Sequence, residues 1–133
     1  MDVVINYWAV LVAAISSFVI GGLWYAPFLF GKVWQKAVGL SDDELKSASM
    51  GKTFGISFVL SVIISYGMAN FFGPEVNMNM GIMYGAMTAL FFVIPSMGTN
   101  SLFEHHKLNL FLINAGYNLV TYVVIGTIIG AWH

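Results

Sequence analysis

The stretch from Val3 to Tyr25 constrains this chain more than any other. It is apolar or small throughout, interrupted only by Asn6, Ser16 and Ser17. A run of that length meets the roughly 20 residues an α-helix needs to cross the hydrocarbon core of a bilayer. Asn6, Tyr7 and Trp8 stand at its start, and Trp24 and Tyr25 at its end. Rings with a polar edge settle at the two membrane interfaces, so this run reads as a span with its anchors in place. A secretory signal would have a basic start and a shorter apolar core. Here Asp2 is acidic and no lysine precedes the run, so we expect the helix to be retained.

Three more runs repeat the pattern, from about Thr53 to Phe72, Met78 to Met97 and Leu108 to Trp132. The predicted fold is all-α, a four-helix transmembrane bundle forming one integral membrane domain over residues 1–133. Composition agrees: 59% of residues are hydrophobic and 8% charged, and mean hydropathy is +0.82. Soluble domains carry about 25% charged residues, which they need to cover their surface. The chain has no cysteine, so a disulfide framework or thiolate site is excluded. It has no arginine and a net charge of −1, which gives no support for nucleic-acid binding.

Between the first two spans lies the one long polar connection, Phe28 to Gly51. Pro27 opens it and should end or kink the first helix, because its nitrogen cannot donate and it pushes Ala26 out of the helical region. Phe28, Phe30, Val33 and Trp34 fit the headgroup zone. Ser41 with Glu44 three residues on has capping-box spacing, and Asp42 and Asp43 suit a first turn. That predicts a short amphipathic surface helix from about Asp42 to Met50. Gly73 to Asn77 reads as a turn, and Pro95 should kink the end of the third span. Small residues recur every four positions at Ser57, Ser61, Ser65 and Ala69, and again at Gly81, Gly85 and Ala89. Such rows let a second helix approach closely.

Orientation follows from the lysines. Lys32, Lys36, Lys46 and Lys52 flank the first connection, Lys107 lies in the third, and the second has none. The positive-inside rule then puts the first and third loops in the cytoplasm and both termini outside, in a cell inner or plasma membrane.

In that orientation Trp24, Tyr25, Asn100, Glu104, Asn114, Tyr117 and Asn118 converge on the cytoplasmic face. They are the candidate substrate- or ion-binding residues. Each has a plainer reading beside it. Trp24 and Tyr25 are ordinary belt anchors, and Asn114 and Asn118, four apart, suit helix–helix hydrogen bonds. Glu104 near a helix end suits a cation or a proton, but it could sit in water and pair with Lys107 at i+3. His105 and His106 are adjacent, so on a helix they point about 100° apart and do not chelate one ion. No metal site, cofactor or catalytic residue is therefore expected. No nucleophile with a base and an orienting acid is in the sequence.

The segment Gly22-Leu23-Trp24-Tyr25-Ala26-Pro27-Phe28-Leu29-Phe30-Gly31-Lys32-Val33-Trp34 resembles the first-helix motif of small bacterial membrane proteins catalogued as domain of unknown function 1761. Asn100-Ser101-Leu102-Phe103-Glu104, followed by Asn114-Ala115-Gly116-Tyr117, resembles the second half of that family. The resemblance implies four spans over nearly the whole chain, and no activity.

The reading favours an oligomeric transporter or channel-like protein over an enzyme. A four-span chain has little room for an internal pathway, and its small-residue rows offer faces for a homo-oligomer. Its partners would be the lipid bilayer, further copies of itself, and a small-molecule or ion ligand. The alternatives are a non-catalytic partner or lipid-binding protein, and an enzyme using Glu104 as acid or base on a lipid-soluble substrate.

Overall fold

The computed structural model describes residues 5–26, 28–41, 43–44, 50–73 and 75–132. Among them are five helices: α1 (Tyr7–Trp24), α2 (Gly31–Val38), α3 (Met50–Phe72), α4 (Met78–Phe103) and α5 (Leu108–Ala131). No strand occurs among the described residues. All but α2 are long and apolar enough to cross a bilayer, so the chain is a multi-pass membrane protein.

The helix ends follow local chemistry. Asn6 caps α1, its Oδ1 accepting from the amides of Trp8 at 3.1 Å and Ala9 at 3.2 Å. Asn77 caps α4 in the same way, accepting from Met80 N at 2.9 Å. Each cap satisfies donors that the helix itself leaves orphaned. α1 closes at Tyr25, while the stop expected of Pro27 lies outside the described residues.

α4 continues past the expected end at Met97, to Phe103. Its Ala89–Val93 segment is a π-helical turn, with Ile94 between it and Pro95. A proline in an α-helix removes one amide and drives its ring at the carbonyl four residues back. A π-turn shifts the hydrogen-bond register over that stretch, which lets the helix continue to Phe103.

α2 is the element missing from the sequence reading, which placed the first-loop helix later. Val33, Trp34, Ala37 and Val38 fall on one side of it, and Lys32, Gln35 and Lys36 on the other. Gly39, at φ 87°, ends it in the left-handed region. Gly31 makes it possible: a methyl there would collide with the carbonyl oxygens of Tyr25 and Ala26. The cap predicted for the later surface helix is present. Ser41 Oγ accepts from Glu44 N at 3.1 Å and donates to Glu44 Oε1 at 3.2 Å. Asp42 and residues 45–49 lie outside the described residues.

The small-residue rows are used within the chain. α4 and α5 form the most extensive seam, backbone against backbone. A methyl on Gly81 would strike the Gly126 carbonyl, one on Gly85 the Tyr122 carbonyl, and one on Gly130 the Asn77 carbonyl. α1 packs on α3 through buried Ser17 and Ser61, whose hydroxyls lie 3.4 Å apart, and its other side meets α5. Ala13, Met68, Ile125 and Ile129 fill the centre of the bundle. α3 and α4 share no comparable seam. A lateral apolar groove of about 620 Å³ opens between them, walled by Met68, Phe71, Met87 and Phe91.

Candidate functional site

The rings at the end of α1 turn inward. Trp24 and Tyr25 are each half-buried and both engage α5. Trp24 Nε1 donates to the Ile113 carbonyl at 3.0 Å, and the Tyr25 hydroxyl donates to Asn114 Oδ1 at 2.5 Å. Glycines make room for these rings. A methyl on Gly116 would come within 2.9 Å of Trp24 Cζ2, and one on Gly21 within 3.2 Å of the Tyr117 hydroxyl. The Tyr25 and Tyr117 rings meet edge to face, with centroids 5.4 Å apart. Burial, and then the neighbouring Tyr117 phenol, push ionisation of Tyr25 above the usual tyrosine range. Tyr25 therefore keeps its proton and serves as the donor in the bond to Asn114.

Asn118 sits one turn deeper. Its Nδ2 donates to the Asn114 carbonyl at 2.8 Å and to Met97 Sδ at 3.3 Å. The structure thus brings together five of the seven residues singled out from sequence: Trp24, Tyr25, Asn114, Tyr117 and Asn118. Asn100 and Glu104 stand apart from them, both exposed. Glu104 is the C-cap of α4, and its partner is His106, with Nε2 and Oε2 3.1 Å apart, where the sequence offered Lys107.

Two residues missed at the sequence level complete the cluster, and both depend on α2. Trp34 packs edge to face on Tyr25 with centroids 5.7 Å apart. Phe30, just before α2, lies on Trp24 at 4.9 Å. The amphipathic spacing of Val33, Trp34, Ala37 and Val38 was the signal that could have found this fold-back.

Docked in this way, α2 roofs a cleft of about 430 Å³. Trp34, Ala37 and Val38 form one wall. His105, His106 and Lys107, from the loop joining α4 to α5, form the other, and Asn114 and Leu110 lie between. The loop is fixed by a Schellman-type closure. His105 N donates to the Leu102 carbonyl at 3.4 Å and His106 N to the Ser101 carbonyl at 3.0 Å. The position that closes such a motif takes a left-handed backbone and is usually glycine. Here it is His105, at φ 58°, a conformation costing a side-chain-bearing residue about 1–2 kcal/mol.

Chemically, the site is a water-facing cleft with a donor-rich wall and an apolar wall. Its floor is a hydrogen-bonded asparagine locked to a tyrosine. No curated protein and no solved structure matches the chain significantly. The family model described as protein of unknown function (DUF1761) matches residues 8–130, and the chain belongs to that family.

Proposed function

We propose that the protein is a small-solute transporter or channel-like protein that works as a homo-oligomer and takes its ligand from the cytoplasm into the cleft beneath α2. The observation that carries this reading is the roofed cleft with Asn114 at its floor, held by the Tyr25 hydroxyl. Lys32 and Lys36 on α2 and Lys107 at the head of α5 support a cytoplasmic opening under the positive-inside rule. The bundle centre beyond the cleft is filled, with Ala13, Ala14, Ser65 and Ile125 all at 0% exposure. A path along one chain is therefore closed, which favours passage between copies. Gly81, Gly85 and Ala89, with Ser61 and Ser65, are buried inside each chain and do not supply that interface.

The test is a thermal-unfolding screen of the purified protein against small anions, cations and zwitterions, followed by flux into proteoliposomes. One class should raise the unfolding temperature of the wild type, lose that effect in Asn114→Ala, and enter protein-containing vesicles faster than empty ones. No stabilisation and no flux from any class would overturn the proposal. The apolar wall of Trp34, Ala37 and Val38 favours a second reading, a lipid-binding protein without transport. Stabilisation by a lipid with no solute flux would decide for it.

A further inference from the structure

The two walls of the cleft differ in chemistry, and the difference selects a ligand class. His105, His106 and Lys107 are all able to donate hydrogen bonds, and Asn114 adds a side-chain amide below them. α5 starts beside this wall with Lys107 as its N-cap; the lysine side chain makes no cap bond, and Asn109 Oδ1 accepts from the Leu110 amide at 2.9 Å. The helix therefore adds the positive end of its dipole to the lysine charge. Among the described residues no group of three or more His, Asp or Glu gathers to hold a cation. Glu104, next to this wall in the chain, is 61% exposed and engaged by His106. The opposite wall, led by the Trp34 ring, is apolar. His105 keeps an imidazole on the donor wall at a backbone position where glycine would relieve strain.

Taking the cleft as the ligand site, we infer that it seats a phosphate group carried on an apolar body. The phosphate lies against Lys107 and His106, and the body lies along Trp34 and Val38. Phosphate oxygens accept charge-assisted hydrogen bonds from ammonium and imidazole donors together, which suits this wall. The same chemistry is offered by the headgroup of an anionic membrane lipid and by a water-soluble phosphate ester.

The experiment measures binding of three probes to the full chain in neutral detergent, by titrated thermal unfolding. The probes are short-chain phosphatidic acid, phosphatidylcholine of the same chain length, and glycerol 3-phosphate. Phosphatidic acid should bind at least about tenfold more tightly than phosphatidylcholine. Lys107→Gln and His106→Gln, both at exposed positions, should each weaken it by about tenfold, as expected for losing a charge-assisted bond. Lys36→Gln, on α2 but outside the cleft, should leave affinity unchanged, and Glu104→Gln should tighten it. His105→Gly should raise the unfolding temperature of the free protein while weakening binding.

Much weaker binding of glycerol 3-phosphate than of phosphatidic acid supports the apolar seat and identifies a lipid as the source. Equally tight binding would overturn the apolar body and leave only a soluble phosphate ester. Equal binding of the two lipids, equal loss from Lys36→Gln and Lys107→Gln, or no binding of any probe would overturn it. A stability gain in His105→Gly with unchanged affinity would count against the donor wall. The readout does not depend on flux. A silent solute screen beside tight phosphatidic acid binding would defeat the transporter reading and leave this inference standing.

Discussion

At the scale of single residues, the bond between Tyr25 and Asn114 fixes the cluster. Removing the hydroxyl in Tyr25→Phe should cost about 1 kcal/mol, the usual net worth of one hydrogen bond. Asn114→Ala should cost more, about 1–3 kcal/mol, because it leaves a half-buried phenol without its acceptor. The two losses should not add. A double-mutant cycle read by denaturant unfolding in mixed micelles should give a coupling energy between about 0.5 and 1.7 kcal/mol. Coupling near zero would mean that the pair does not interact in the folded protein. These residues were legible one by one from sequence, but their direction was not. An aromatic pair at the end of an apolar run reads first as a belt anchor. The space over Gly116 and the bonds to Ile113 and Asn114 turn Trp24 and Tyr25 toward α5. Glu104 shows the converse. An acid near a helix end drew attention, yet the chain places it in water as a C-cap.

At the scale of elements, the four spans were plain because a membrane leaves a simple record: long apolar runs, interfacial rings and sparse lysines. Two elements left a fainter one. The π-turn at Ala89–Val93 resolves a conflict set by Pro95, and nothing in the residues of the turn itself announces it. α2 has only eight residues, so its amphipathic spacing is a brief signal, and its position depends on a backbone contact. That contact can be tested. Gly31→Ala puts a methyl against the Tyr25 and Ala26 carbonyls and should lift α2 off the bundle. Amide hydrogen exchange should accelerate across Gly31–Val38 while α5 keeps its protection. Unchanged exchange in α2 would show that the helix does not need the tight turn to stay docked.

At the scale of the whole molecule, the fold divides its roles by depth. The α4–α5 glycine seam and the α1–α3 serine contact hold the middle closed. The end bearing Lys32, Lys36 and Lys107 carries a polar cleft. The lysines and asparagines of the sequence pointed to the end of the bundle that carries the cleft. Those residues gave no cavity, because the cleft exists only once α2 folds back over the α4–α5 loop. We propose that Asn114 lies at the base of a cleft open to the cytoplasm, with Asn118 one turn deeper and outside the cleft lining. The chain has no native cysteine, so single-cysteine labelling tests this directly. Asn114→Cys and Asn118→Cys would be exposed to a membrane-impermeant maleimide in inverted vesicles and in intact cells. Asn114→Cys should react in inverted vesicles and not in cells, and Asn118→Cys should react in neither. An unreactive Asn114→Cys in inverted vesicles, or reaction from the cell exterior, would contradict the proposal.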